Sequence, residues 1–203
     1  MEKYDPWIKS LMRFMLRVIG IKVKVMGVEN INPNKTYLFM ANHISLFDIP
    51  LLSGYVPQLV RGIEADRQFK WPLYGFAIKR LGNIPINRKN VHSAIKSVGN
   101  AIQRLKEKRS IIVLPEGHRT LDGNLNPFKK LPFHLAKRSD SAIIPMGLSG
   151  LFSLKRKGSW IIMPGPVQIN FGKPIPVEII RSKSVEELRD YTKNVISGLI
   201  DFH

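Results

Sequence analysis

In the stretch YLFMANHISLFDIP, residues 37 to 50, a histidine and an aspartate stand five positions apart inside an apolar run. Asn42, His43, Ser45 and Asp48 carry most of its polar chemistry. On a continuous helix, positions five apart point about 140° away from each other. His43 and Asp48 therefore meet only where the chain turns, as where a strand ends and a helix begins. Residues 37–40 supply such a strand, and Ser45 is placed to cap the helix that follows. In that geometry the Asp48 carboxylate accepts a hydrogen bond from one ring nitrogen of His43. The bond fixes the tautomer and leaves the other nitrogen to act as a general base. The same pair also suits a buried histidine that a carboxylate satisfies for structural reasons alone. This run by itself does not decide between the two.

A base needs something to deprotonate. The chain has no cysteine and no G-x-S-x-G nucleophile elbow. The simplest nucleophile is then an alcohol of the substrate, activated directly in a two-substrate transfer. Two further segments carry chemistry. In LGNIPINR, residues 81–88, Gly82 permits a tight turn and a strand over 83–86 delivers Arg88. In VLPEGHRT, residues 113–120, a buried strand ends at Pro115, and Glu116, Gly117 and Arg119 follow on a loop. Loops at strand ends are where α/β proteins place their sites. Two arginines leaving such ends can clamp a phosphate with forked, charge-assisted hydrogen bonds. Alone, each arginine is more often a solvated surface residue. A fourth segment, AIIPMG at 142–147 with Pro145, reads as a buried strand that core packing explains.

Composition bounds the classes. With 203 residues and 44% hydrophobic content, the chain forms one globular domain with a real core. The absence of cysteine excludes disulfides and thiolate metal sites. The five histidines, among them His92, His134 and His203, have no H-x-x-x-H spacing, so no metal is expected. A net charge of +17 draws the chain to polyanions: nucleic acid, an anionic membrane surface or a phosphorylated substrate. No nucleic-acid-binding signature accompanies the charge. No secretory signal is visible, and no apolar run is long enough to span a bilayer.

The periodicity predicts a helix over 7–19. Leu11, Phe14, Met15, Val18 and Ile19 share one side, Lys9, Arg13 and Arg17 another, and Trp7 and Tyr4 stand at its start. Such a helix suits a membrane interface, and equally a surface helix packed on the domain. Strands are expected at 21–26, 37–40, 83–86, 110–113, 142–146, 160–163 and 167–171. A second amphipathic helix is expected over 93–107. A third starts at Ser184, with Glu187 placed for a capping box. The expected fold is α/β: a single domain over 21–203 with a central, mostly parallel or mixed sheet flanked by helices. An amphipathic membrane-interface helix over 1–20 precedes it.

NHISLFD, GNIPINR, LPEGHRT and AIIPM, in this order and spacing, resemble the four motif blocks of the glycerolipid acyltransferases, the family of the 1-acyl-glycerol-3-phosphate acyltransferases. The resemblance spans roughly residues 25 to 175. It implies that His43 and Asp48 are the catalytic pair, and that Arg88, Glu116, Gly117 and Arg119 bind a phosphorylated acceptor. Asn42, Ser45, Gly82 and Pro145, as members of the same blocks, are grouped with the substrate-binding residues. The implied donor is an acyl thioester on coenzyme A or acyl carrier protein, with no cofactor. The implied acceptor is a lysophospholipid, first of all lysophosphatidate. The implied location is an anionic membrane at its cytoplasmic face, with no transmembrane span and no nucleic-acid partner. Three departures bear on the acceptor. His118 stands where the family usually has Thr or Ser, and Asn87 where Asp is common. EADRQ at 64–68 stands where a lysine is frequent, with Arg61, Arg67, Lys79 and Arg80 as possible substitutes. Another lysolipid, such as lysophosphatidylglycerol or a lyso-aminolipid, fits these departures. A thioesterase keeps the enzyme class, and a basic lipid- or nucleic-acid-binding protein without catalysis is the reading from a different class.

Overall fold

In strand β2 (Leu38–Ala41) the side chains alternate between two apolar clusters. Tyr37, Phe39 and Ala41 enter one, Leu38 and Met40 the other, which is the period of two that a strand imposes. All of β2 is buried, as expected of a strand covered on both faces. The computed structural model describes residues 5–87 and 90–200. Around β2 it places β1 (Lys22–Met26), β3 (Val60–Ala65), β4 (Ile84–Ile86), β5 (Ser110–Val113), β6 (Ile143–Ser149) and β7 (Pro166–Phe171). Their order across the sheet is β1-β7-β6-β2-β5-β3-β4.

Every neighbouring pair is parallel except β6 and β7, so the sheet is mixed. Met40 lies between Val113 of β5 and Pro145 of β6. The carboxyl ends of β2 to β6 thus share one edge, with β2 at the point where the connections diverge to either side. Open α/β sheets bind their ligands at such a point.

Helices cover both faces. On one side α1 (Asp5–Val18), α2 (Asp48–Tyr55) and α6 (Leu151–Leu154) contribute Leu16, Leu51, Leu52 and Leu151 to the core. On the other, α4 (Val91–Lys106), α5 (Leu131–Ser139), α7 (Val177–Ser182) and α8 (Val185–Ser197) contribute Val98, Phe133, Ile180 and Leu188. Helix α3 (Tyr74–Leu81) runs into β4 through Gly82, whose left-handed φ of 79° ends the helix.

The expected strands at 21–26, 37–40, 83–86, 110–113, 142–146 and 167–171 correspond to β1, β2, β4, β5, β6 and β7. The capping box of α8 has both its bonds: Ser184 N–H to Glu187 Oε2 at 2.7 Å and Glu187 N–H to Ser184 Oγ at 3.2 Å. Two expectations fail. Residues 160–163 form no strand: they join none of the strands of the sheet and are exposed, Trp160 at 95%. Ser45 does not cap α2. The helix starts at Asp48 after Phe47, and Ser45 Oγ donates instead to the Lys155 carbonyl at 2.9 Å.

The N-terminal helix docks in an unexpected way. Leu16 is its buried anchor. Lys9 Nζ donates to the carbonyls of Val56 and Gln58, both at 2.9 Å, and Arg13 Nε to Gly54 at 2.7 Å. Arg13 also lies over the Tyr55 ring at 5.2 Å. Two of the three cations of the basic side, Lys9 and Arg13, therefore bond carbonyls at and just beyond the C-terminal end of α2, where a positive charge is favoured. Trp7, Leu11, Phe14 and Val18 are the exposed apolar row. We predict that Lys9→Ala with Arg13→Ala destabilises the fold by about 1–3 kcal/mol, the range for lost charge-assisted bonds at a partly exposed helix end. Chemical denaturation measures it; an unchanged midpoint and slope contradict the capping role.

Candidate active site

The turn between β2 and α2 has its shape because one carboxylate gathers its donors. Asp48 is fully buried as the first residue of α2. Its Oδ2 accepts from Ile44 N–H at 2.8 Å and lies 2.6 Å from His43 Nδ1, and its Oδ1 accepts from Ser45 N–H at 3.0 Å. A buried charge requires such partners, and the start of a helix favours it. Because a carboxylate only accepts, Nδ1 carries the proton and Nε2 is the acceptor nitrogen. The imidazole is 20% exposed and lines the large cavity described below.

The backbone of His43 is held from its other side by the loop after β5. His43 N–H donates to Glu116 Oε1 at 2.6 Å, and Thr120 N–H donates to the His43 carbonyl at 2.9 Å. Glu116 Oε2 accepts from the backbone and side-chain N–H groups of Asn126 at 2.9 and 2.7 Å. Burial pushes the Glu116 carboxyl above the ordinary glutamate range, against the opposite pull of these N–H donors. Asn42 is a brace as well. Its Nδ2 donates to the Leu148 carbonyl at 2.9 Å and its Oδ1 accepts from Leu148 N–H at 2.8 Å, which fastens the end of β2 to β6.

The cavity in front of His43 measures about 840 Å³. Ile49, Ile86, Ile95, Val98 and Leu135 give it apolar walls. Arg67, Arg119, Lys129, Lys130 and Lys157 give it positive charge, against the single carboxylate of Glu64 among its described lining residues. Glu64 is itself engaged: it accepts from the Tyr74 hydroxyl at 2.5 Å and from Asn83 Nδ2. Burial first, then Glu64, pushes the Tyr74 phenol well above its ordinary range and keeps it a donor. Among the described residues, no group of three or more His, Asp or Glu side chains is placed to hold a metal ion.

The sequence-derived residues divide sharply. His43, Ser45, Gly117, His118 and Arg119 line the cavity. Glu116, Asn42 and Pro145 are buried behind it and do not line it. Gly82 serves as the helix end of α3. Arg88 lies outside the described residues. Of the four cations offered as substitutes near residues 64–68, Arg67 alone lines the cavity. Arg61 is buried beside a smaller one of about 120 Å³. Lys129, Lys130 and Lys157 escaped the sequence reading. Each sits outside the motif blocks, and only the return of the chain to the β5 and β6 ends brings it here.

Because the folded Glu116 carboxyl titrates above its unfolded value, its contribution to stability is fully present below the unfolded pKa, about 4.3. That contribution is lost as pH rises through the folded value. Glu116→Gln removes the dependence. We predict that the melting-temperature difference between variant and native chain moves in the variant's favour between about pH 4 and pH 7. Movement against the variant would show that the N–H donors outweigh burial.

The family model described as Acyltransferase matches residues 22–149. The 1-acyl-sn-glycerol-3-phosphate acyltransferase of Limnanthes douglasii is 32% identical over 179 residues, 88% of this chain and 62% of that protein. The enzyme of the same name from Saccharomyces cerevisiae is 29% identical over 184 residues, covering 89% and 60%. The chain thus spans about three-fifths of the length of these curated relatives. The crystal structure of the 1-acyl-sn-glycerophosphate (LPA) acyltransferase PlsC from Thermotoga maritima superposes with a TM-score of 0.84 at 30% identity, over 96% of this chain and 78% of that one. With the family model covering well over half of its residues and the fold shared throughout, the chain belongs to the acyltransferase family.

Proposed function

We propose that the chain moves a fatty acyl group from an acyl thioester, on coenzyme A or acyl carrier protein, to the free hydroxyl of a lysophospholipid. The first candidate acceptor is 1-acyl-glycerol-3-phosphate, the molecule in the names of its relatives. The observation that carries this reading is the Nε2 of a fixed imidazole at a cavity that is both apolar and cationic.

In this mechanism Nε2 takes the proton of the acceptor hydroxyl as its oxygen attacks the thioester carbonyl carbon. Asp48 stabilises the imidazolium. The tetrahedral oxyanion collapses, the carbon–sulfur bond breaks, and the thiolate takes the proton from Nε2. A thiol of reference pKa about 8.5 leaves readily. Arg119, Arg67 and the lysines hold the phosphate of the acceptor, and the apolar wall takes alkyl chain. No cofactor is needed. Asn42 and Glu116 position the base by holding the backbone around it. The exposed row Trp7, Leu11, Phe14 and Val18 suits α1 to an anionic bilayer at its cytoplasmic face. No described helix is long and apolar enough to cross a membrane.

His118 in the cavity wall, where the family usually has Thr or Ser, favours a second acceptor class, another lysolipid such as lysophosphatidylglycerol or a lyso-aminolipid. Thiol release from long-chain acyl-coenzyme A, measured with a panel of lysolipids headed by lysophosphatidate, separates the two. Release that requires one acceptor is expected. Release without any acceptor indicates a thioesterase, and no release with either donor removes the catalytic reading. His43→Ala lowers kcat by roughly a hundred- to ten-thousandfold, the worth of a general base. Arg119→Ala instead raises KM for a phosphate-bearing acceptor by roughly ten- to a hundredfold. An unchanged KM takes Arg119 out of acceptor binding.

A further inference from the structure

Residues 160–163, WIIM, are a second apolar segment at the surface, distinct from the exposed row of α1. Trp160, Ile161, Ile162 and Met163 are 95, 70, 40 and 65% exposed. The segment is nevertheless built. Met163 N–H donates to the Leu154 carbonyl at 2.9 Å, Ile161 N–H to Ser159 Oγ at 3.0 Å, and Lys155 Nζ to the Ser159 carbonyl. Gly158 makes the turn with φ at 86°. An apolar tip is thereby held out from the surface, with Lys155, Arg156 and Lys157 at its base.

We propose that this loop is a lipid-inserting wedge that docks the cavity mouth on an anionic phospholipid bilayer. Three lines of observation select that occupant. A tip of one tryptophan and three aliphatic side chains above a ring of cations matches the layering of an interface, with acyl chains beneath anionic headgroups. Four side chains are too few for a stable protein interface, which buries about 800 Å² on each partner. The loop also abuts the cavity: Lys157 lines it, and exposed Leu46 and Trp71 line it from other elements. A bilayer meeting the wedge therefore meets the cavity mouth. The base of the loop is tied to the His43 turn through the bond from Ser45 Oγ to the Lys155 carbonyl.

The wedge rests on the acyltransfer reading for its purpose and on the loop geometry for its existence. The chain has three tryptophans, so Trp7→Phe with Trp71→Phe leaves Trp160 as the only reporter. Vesicles of phosphatidylglycerol and brominated phosphatidylcholine are added to this 203-residue variant. Trp160 emission is expected to shift to the blue and to be quenched. Trp160→Ser with Ile161→Ser in the native background is expected to weaken vesicle partitioning at least about tenfold. The same pair should leave thiol release intact with a short-chain donor and acceptor below their micellar concentrations. Pelleting with vesicles while Trp160 stays unshifted and unquenched overturns the wedge, as does the absence of any vesicle binding. So does concentration-dependent self-association that the double serine variant abolishes. Quenching of Trp160 without thiol release from any donor keeps the wedge and removes the acyltransfer reading instead.

Discussion

The buried Asp48 carboxylate is the constraint around which this edge of the sheet is arranged. Fully removed from water, it is tolerable only with its lone pairs occupied. The chain meets that demand locally, by turning so that the N–H groups of Ile44 and Ser45 and the ring of His43 converge on it. One arrangement therefore performs two tasks. It satisfies a buried charge, and it fixes an imidazole in one tautomer and one orientation. The second carboxylate, Glu116, does for the His43 backbone what Asp48 does for the ring. Asn42 anchors the strand end behind both. A site assembled from strand ends is as rigid as the sheet that carries it.

The same strand ends border the cavity in front of His43. The cavity joins an apolar wall to a cationic one, a combination suited to a molecule with an alkyl chain and an anionic head. The net charge of +17 then acts at two ranges. At long range it favours an anionic surface. At short range, Arg67, Arg119 and Lys157 concentrate part of it at the cavity wall. The row of α1 and the loop at 160–163 are the exposed apolar segments that accompany this charge.

Much of this was legible in the residues, for physical reasons that also mark where reading stopped. The spacing of His43 and Asp48 showed what their contact needs: five positions cannot meet on a helix, so the chain must turn between them, and the apolar run before His43 offered a strand to turn from. The buried strands β2, β5 and β6 are continuous apolar runs, and the capping box of α8 is a local motif with its own chemistry. Strand β3 went unseen because Arg61, Gly62 and Glu64 interrupt its apolar pattern. Residues 160–163 misled in the opposite sense. Apolar and β-branched, they read as a buried strand, yet the sheet has no place for them and they face outward. Glu116 and Asn42 were grouped with ligands because their motif blocks carry function. Their burial and bonds make them supports, which spacing cannot reveal. Lys129, Lys130 and Lys157 reach the cavity only through tertiary folding.

The central claim is that Asp48 holds His43 with Nδ1 protonated and Nε2 bare toward the cavity. Nitrogen NMR of the histidine rings in the native chain and in Asp48→Asn, at a pH where the His43 ring is neutral, tests it most directly. The expected native spectrum shows Nδ1 carrying the proton and Nε2 as the unprotonated nitrogen, with that preference lost or mixed in the variant. A native ring protonated on Nε2, or a tautomer indifferent to Asp48→Asn, would contradict it. The base would then have to be sought elsewhere in the cavity.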